Sequence, residues 1–286
     1  MVYALIALGY TMVYGVIQLI NFAHGEVFMV GAYLALTAIW FFASFFSHAP
    51  LAAVLVGLFI FSMFGSALLG AVIEKVAYKP LRGAPKLAAL ITSIGVSFFL
   101  QNAVMLIYGS KEQSLPEIIP YMQWELGGVS FSLIQLIIFV TSLSLMFFLT
   151  WFVKNTRLGK AMRACAENPE AAALMGISVN KIIRATFVIG SSLAAVAGSL
   201  FAMNYGSINF HDGYLAGLKA FTAAVLGGIG SIPGAMIGGI FLGVFEGLGA
   251  GYISSQWKDV FAFLLLGLVL IFKPSGIMGE NISEKV

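Results

Sequence analysis

Apolar residues fill the chain in long blocks, near 1–20, 26–47, 51–73, 87–108, 131–153, 182–205, 214–229, 233–252 and 258–272. A run of about twenty apolar residues spans a hydrocarbon core of about 30 Å. In lipid an open strand cannot satisfy its backbone, so each block is expected to be a helix. The pattern predicts an all-α, polytopic transmembrane helical bundle of eight or nine segments. The count hinges on two short interruptions. Positions 21–25 are too few, and too closely flanked by apolar residues, for an ordinary loop; 227–234 reads GGIGSIPG after a segment of sixteen residues. Either fits a broken helix at membrane depth, and 21–25 fits a tight cytoplasmic turn equally well.

Composition removes the soluble alternatives. Of 286 residues, 60% are hydrophobic and 9% charged, whereas a soluble domain carries roughly a quarter charged residues. The longest polar stretches, 109–130 and 154–181, are both shorter than the roughly 40 residues below which a domain seldom folds alone. The reading is one transmembrane domain over 1–286 with no soluble catalytic module. The first basic residue is Lys75, so no basic n-region precedes the first apolar block and no cleavable signal peptide is expected. The single cysteine, Cys165, excludes an internal disulfide and a Cys-rich metal site. Its basic neighbours make a reactive thiol conceivable, and an incidental small residue is the plainer reading. The net charge of +3 carries no nucleic-acid signal; the placement of the charges does the work.

Stretch 74–86 holds Lys75, Lys79, Arg82 and Lys86 against one glutamate. Stretch 154–184 holds Lys154, Arg157, Lys160, Arg163, Lys181 and Arg184 against Glu167 and Glu170, while 109–130 sets Glu112, Glu117 and Glu125 against Lys111. The positive-inside bias places the first two in the cytoplasm and the third outside. Lys273 then puts the C-terminus inside, and nine crossings put the N-terminus outside. Topology alone accounts for the basic residues of 74–86.

More is encoded in 154–181. Asn168 is a good N-cap, Pro169 suits the first helical position, and Glu170 favours the positive end of a helix dipole. Gly176 reads as the C′ residue that stops the helix. A two-turn helix over 169–175 is too short to persist alone in water. Ala171, Leu174 and Met175 offer an apolar face for a groove on another protein.

Glu246 lies inside an apolar helix, where a charge costs roughly 2.5–3.5 kcal/mol on insertion scales. That calls for a paired or protonated side chain facing the protein interior, in a pathway or gate or in a structural hydrogen bond. Lys219 carries the same argument, weakened because a lysine snorkels to an interface. At the first interruption Asn21, His24 and Glu26 could line a pathway, since discontinuous helices are where transporters hold substrate groups. Gly239, Gly243, Gly247 and Gly251 recur every fourth residue, a small-residue stripe expected to pack helices. His24, His48 and His211 are far apart, with His48 in a presumed external turn; no catalytic triad, metal cluster or phosphate-loop G-x-x-x-x-G-K-[ST] is evident.

The run Glu170-Ala171-Ala172, with Gly176 beyond it, resembles the coupling loop of bacterial ABC importer permeases. NFAHGEVFMVGAY, LITSIGVSFFLQN, GKAMRACAENPEAAALMGI and FTAAVLGGIGSIPGAMIGG follow the order seen in LivH-type permeases of branched-chain amino acid importers. The resemblance runs over essentially the whole chain. It implies a multi-pass subunit of the bacterial cytoplasmic (inner) membrane with no cofactor of its own. Its partners would be a LivM-type second permease, two ABC ATPases carrying ATP and Mg, and a periplasmic amino-acid-binding protein, besides membrane lipid. The loop 154–181 would couple to the ATPase through Arg163, Glu170, Ala171, Ala172, Leu174 and Gly176. Members of that family begin well before the segment matching Tyr3-Ala4-Leu5, which implies a first helix that starts partway along. Related permeases carry urea, short amides or other amino acids, so another small substrate stays open. An ion-coupled secondary transporter using His24, Glu26 and Glu246 is the reading from a different class.

Overall fold

The structure, a computed structural model, describes residues 1–45, 50–116, 118–120, 122–126, 129–273 and 275–279. His48 and Glu117 lie outside them. Among the described residues eleven α-helices follow in chain order: α1 (Val2–Ile17), α2 (Ala23–Phe45), α3 (Leu51–Ile73), α4 (Lys86–Tyr108), α5 (Leu133–Asn155), α6 (Arg157–Glu167), α7 (Pro169–Leu174), α8 (Val179–Tyr205), α9 (Asp212–Gly227), α10 (Ile232–Tyr252) and α11 (Lys258–Phe272). Seven helical spans are long and apolar enough to cross a membrane: α2, α3 with its continuation to Leu81, α4, α5, α8, α10 and Ser255–Phe272. The two remaining apolar segments, α1 and α9, are short at 16 residues each. Each short helix immediately precedes one of the two interruptions.

The first interruption occupies 18–22 rather than 21–25. α1 stops because Gln18 adopts the left-handed conformation (φ 55°) and returns its N–H to the Tyr14 carbonyl at 2.7 Å. Gln is an unusual residue for that turn, which glycine normally fills, so composition gave no cue there. Gly25 reads as a breaker but lies within α2. The place of the interruption follows from register. Glu26, one turn into α2, bonds Ser97, which is the middle residue of the 23-residue α4. At 1.5 Å per residue about 17 Å of helix lies on either side of Ser97. α2 therefore begins beside the middle of α4, while Asn21, just ahead of it, meets Tyr78 near the end of the α3 continuation.

The second interruption is 228–231, shorter than the expected 227–234. Gly228 and Gly230 take positive φ of 101° and 98°, and the Ser231 hydroxyl caps α10 by accepting from Gly234 N at 3.2 Å. A helix end within a membrane must find donors for its last carbonyls. The chain's own C-terminal segment supplies them: Ile277 and Met278 donate to the carbonyls of Leu226 and Gly227 at 2.8 and 2.9 Å.

α2 and α8 form the interior together with the short helices α1 and α9, while α3, α4, α5 and α11 are mostly exposed around them. α2 and α8 pack backbone to backbone; a Cβ on Gly198 of α8 would overlap the Phe28 carbonyl of α2. Without water to exclude, such close approach is what holds helices together in lipid. Polar contacts add to it: Ser199 of α8 donates to Ser62 of α3 at 3.1 Å.

The stretches between spans are more ordered than their polarity implies. α3 runs on through a π-helical turn (Glu74–Tyr78) and a short 3-10 turn (Lys79–Leu81), so 74–86 is largely helix and not loop. On the opposite side β1 (Gln113–Ser114) pairs with β4 (Ser207–Ile208), and β2 (Gln123–Leu126) with β3 (Val129–Ser132), both antiparallel. The first pairing pins the start of α9 to the loop after α4. The stretch 154–181 contains α6 as well as the expected short helix.

Candidate functional site

Around the first interruption three breaks in apolarity converge. Asn21 accepts a hydrogen bond from Tyr78 at 2.9 Å, and its carbonyl receives the His24 N–H at 3.1 Å. The His24 ring stands edge-on to Tyr10 with centroids 4.7 Å apart, against Gly9 in the middle of α1 and Gly190 in the middle of α8. Glu26 takes the Ser97 hydroxyl on Oε1 at 3.0 Å. Its Oε2 lies against Gly213, at the first turn of α9, where partial positive charge favours an anion. Gly25 touches Gly213 and Gly217 so closely that a Cβ would overlap the Gly213 carbonyl. The beginnings of α2 and α9 thus cross, and Asn21, His24 and Glu26 are buried there at 3%, 1% and 1% exposure. Discontinuous helices meeting at polar side chains form the arrangement that moves small solutes across a bilayer.

Lys219 and Glu246 are brought together in a second group. Lys219 Nζ lies 2.7 Å from Glu246 and 2.6 Å from Asp259; Lys258 approaches Glu246 at 3.4 Å, and the Tyr3 hydroxyl donates to it at 3.3 Å. Two cations and two carboxylates tie α9, α10 and α11 to the start of α1. Lys219 does not snorkel; it is buried and paired. The five pathway candidates therefore form two clusters.

The glycine stripe of α10 is corrected by its surroundings. Gly239 packs on Ala4 of α1, but a Cβ on Gly243, Gly247 or Gly251 would meet nothing within 4 Å. Three of the four glycines join no helices within this chain.

In the stretch between α5 and α8, α7 ends one residue before the expected 175. The Asn168 side chain accepts from the N–H groups of Glu170 and Ala171 at 3.0 and 2.9 Å. Gly176, at φ 83°, closes the far end: its own N–H and that of Ile177 bond the carbonyls of Ala173 and Ala172 at 3.0 Å each. This is a Schellman turn, which favours glycine at the left-handed position. Leu174 and Met175 are 90% and 82% exposed. Glu170 and Ala171 are also exposed, whereas Ala172 is buried and faces the protein. Arg163 on α6 is exposed and donates to the Lys154 carbonyl at 3.2 Å, capping α5.

Glu74 escaped the sequence reading. It is fully buried at the end of α3, bonded to Arg82 and, at 3.3 Å, to Arg184 of α8. The signal was present as a lone carboxylate at the head of a basic run.

Cys165 is buried on the inner face of α6, and burial pushes its thiol up from the ordinary range. The thiolate is the reactive form, so at neutral pH maleimide should modify Cys165 in native membranes far more slowly than after SDS denaturation. Equal rates in both states would show the thiol to be open.

Apolar helices of membrane-spanning length that break around buried polar groups, with a capped and exposed short helix between two of the spans, suit a membrane permease. The family described as "Branched-chain amino acid transport system / permease component" matches residues 1–270, and the chain belongs to it. The chain is 53% identical to the high-affinity branched-chain amino acid transport system permease protein BraD of Pseudomonas aeruginosa, over 99% of this chain and 94% of that one. It is 48% identical to the permease proteins LivH of Salmonella typhimurium and of Escherichia coli K12, in each case over 99% of this chain and 93% of the relative. No solved structure matches. The protein is a multi-pass permease component of a transport system and not its catalytic subunit.

Proposed function

We propose that this chain forms part of the membrane path of an ATP-driven importer for leucine, isoleucine and valine in a bacterial cytoplasmic membrane. It works beside a LivM-type permease, two ATPases and a periplasmic binding protein. ATP binding on the ATPases alternates the pathway between outward-open and inward-open forms, and α7 carries the motion. The observation that carries the reading is the exposure of Leu174 and Met175 on a helix capped at both ends. An apolar pair held rigidly in water fits a hydrophobic cleft on a partner. Arg163 and Glu170 flank that contact as exposed charges. Asn21, His24 and Glu26 are the polar groups of the path, and Lys219 with Glu246 closes its other end.

The test replaces the exposed pair. Leu174 and Met175 make few contacts with the rest of the chain, so Leu174→Asp with Met175→Asp leaves the protein in the membrane at its usual level. Loss of the anchor should remove the ATPases from a gentle detergent pull-down. Uptake of labelled leucine that unlabelled isoleucine and valine compete should fall at least about tenfold, the consequence of roughly 1.4 kcal/mol of lost docking energy. Wild-type uptake with the ATPases retained would overturn the docking role. Leucine uptake indifferent to deletion of the chain would overturn the substrate.

A further inference from the structure

The π-helical turn Glu74–Tyr78 is tied on two sides to elements that the proposed transport cycle must move. Its first residue, Glu74, is fully buried and bonded to Arg184 of α8 at 3.3 Å, with Arg82 as second partner. Arg82 also bonds Asn180, one turn before Arg184 on α8. The last residue, Tyr78, is buried, packs at a tilt against the Phe187 ring of α8 with centroids 5.0 Å apart, and donates to Asn21 in the first interruption at 2.9 Å. Asn180, Arg184 and Phe187 fall at helical spacing of four and three, so one face of α8 carries all three contacts. α8 begins at Val179, with four residues between it and the end of α7. A push on α7 is therefore delivered to the first turns of α8, to Glu74 and Tyr78, and to Asn21.

A π turn is the unusual choice here. Its Lys79 N–H bonds the Glu74 carbonyl five residues back, a geometry found mostly as single turns inside helices and often at functional sites. Mechanical transmission needs such a discrete element, because packed helices switch between arrangements and do not deform continuously.

We infer that the Glu74–Tyr78 turn is a relay, in which Glu74 grips the α8 face behind the coupling helix and Tyr78 sets the position of Asn21 at the first interruption. Glu74 and Tyr78 are positioning residues; neither touches ATP, and both act through neighbours. The inference rests on α7 being the element that the ATPase moves.

The experiment uses the complete importer reconstituted in vesicles with its ATPases and binding protein, measuring leucine transported per ATP hydrolysed. Tyr78→Phe removes one hydroxyl and Glu74→Gln one charge, so both variants should assemble and keep basal hydrolysis. Each is expected to lower the transport-to-hydrolysis ratio at least about fivefold. In a series linkage Tyr78→Phe with Glu74→Gln should be no worse than the weaker single variant. Glu74→Asp should recover part of the ratio, which a merely structural carboxylate would not show. Where Glu74→Gln lowers assembly, Tyr78→Phe and Glu74→Asp carry the test. An unchanged ratio in Tyr78→Phe, or multiplicative losses in the double variant, would overturn the relay. The Leu174→Asp, Met175→Asp variant assayed alongside separates the two claims. If it loses the ATPases and uptake while Tyr78→Phe keeps the wild-type ratio, the coupling helix stands and the relay falls; if it keeps both the ATPases and the ratio, both fall.

Discussion

Lys219→Met should all but remove the protein from the membrane, while Glu246→Gln should be tolerated. The asymmetry lies in what each substitution strands. Lys219 is the buried cation of its cluster, with side chain 6% exposed, and it serves both Glu246 and Asp259. Without it Glu246, 2% exposed, keeps the neutral Tyr3 hydroxyl at 3.3 Å and, as its one remaining cation, Lys258 at 3.4 Å, a side chain itself 38% exposed. Breaking a buried pair from one side costs about 3–5 kcal/mol because the other charge is left behind. At tenfold for each 1.4 kcal/mol that is upwards of a hundredfold in the folded-to-unfolded ratio. Glu246→Gln removes the buried anion and leaves Lys219 its second carboxylate, Asp259, at 2.6 Å. The double variant Lys219→Met with Glu246→Gln should therefore recover much of the abundance lost by Lys219→Met alone. Quantitative immunoblots of membranes decide it. Equal abundance of the two single variants would show that the cluster does not hold these helices. Uptake by Glu246→Gln then reports on function, and unchanged kinetics would leave the residue a purely packing role.

How far these features were legible depends on whether their cause is local. The nine apolar segments were legible because hydrocarbon thickness dictates their length one segment at a time. The ends of α7 were legible because Asn168, Pro169 and Gly176 cap it by contacts within a few residues. Interactions across the bundle were not. Lys219 and Glu246 stand 27 positions apart, and each was conspicuous alone, but their pairing is a property of the α9–α10 hairpin. Periodicity placed Gly239, Gly243, Gly247 and Gly251 on one face, yet it carries no record of what that face meets. Glu74 was masked by its setting, since basic residues beside a span are explained by topology alone. Gln18 was invisible because glutamine is not a residue that marks a left-handed turn, and it takes one here at the end of α1.

The second large effect concerns the crossing of α2 and α9. Gly25→Leu should abolish both folding and uptake, and even Gly25→Ala should be harmful. A Cβ at Gly25 would overlap the Gly213 carbonyl and crowd the Gly217 Cα. These neighbours are backbone, so no rotamer change gives way and the two helices must part. Overpacking a well-packed core costs about 1–3 kcal/mol and occasionally more. Here the separation would also draw Glu26 away from the first turn of α9. Gly243→Leu is the matched control, the same exchange within the same kind of apolar helix, where a Cβ meets nothing within 4 Å. It should leave abundance unchanged in the isolated chain. The ordering Gly25→Leu, Gly25→Ala, Gly243→Leu, from most to least damaging, separates steric contact from any general intolerance of larger residues in lipid. Were Gly25→Leu and Gly243→Leu equally abundant and equally active, the two broken helices would not meet at Gly25. The cluster of Asn21, His24 and Glu26 would then lose its α9 wall.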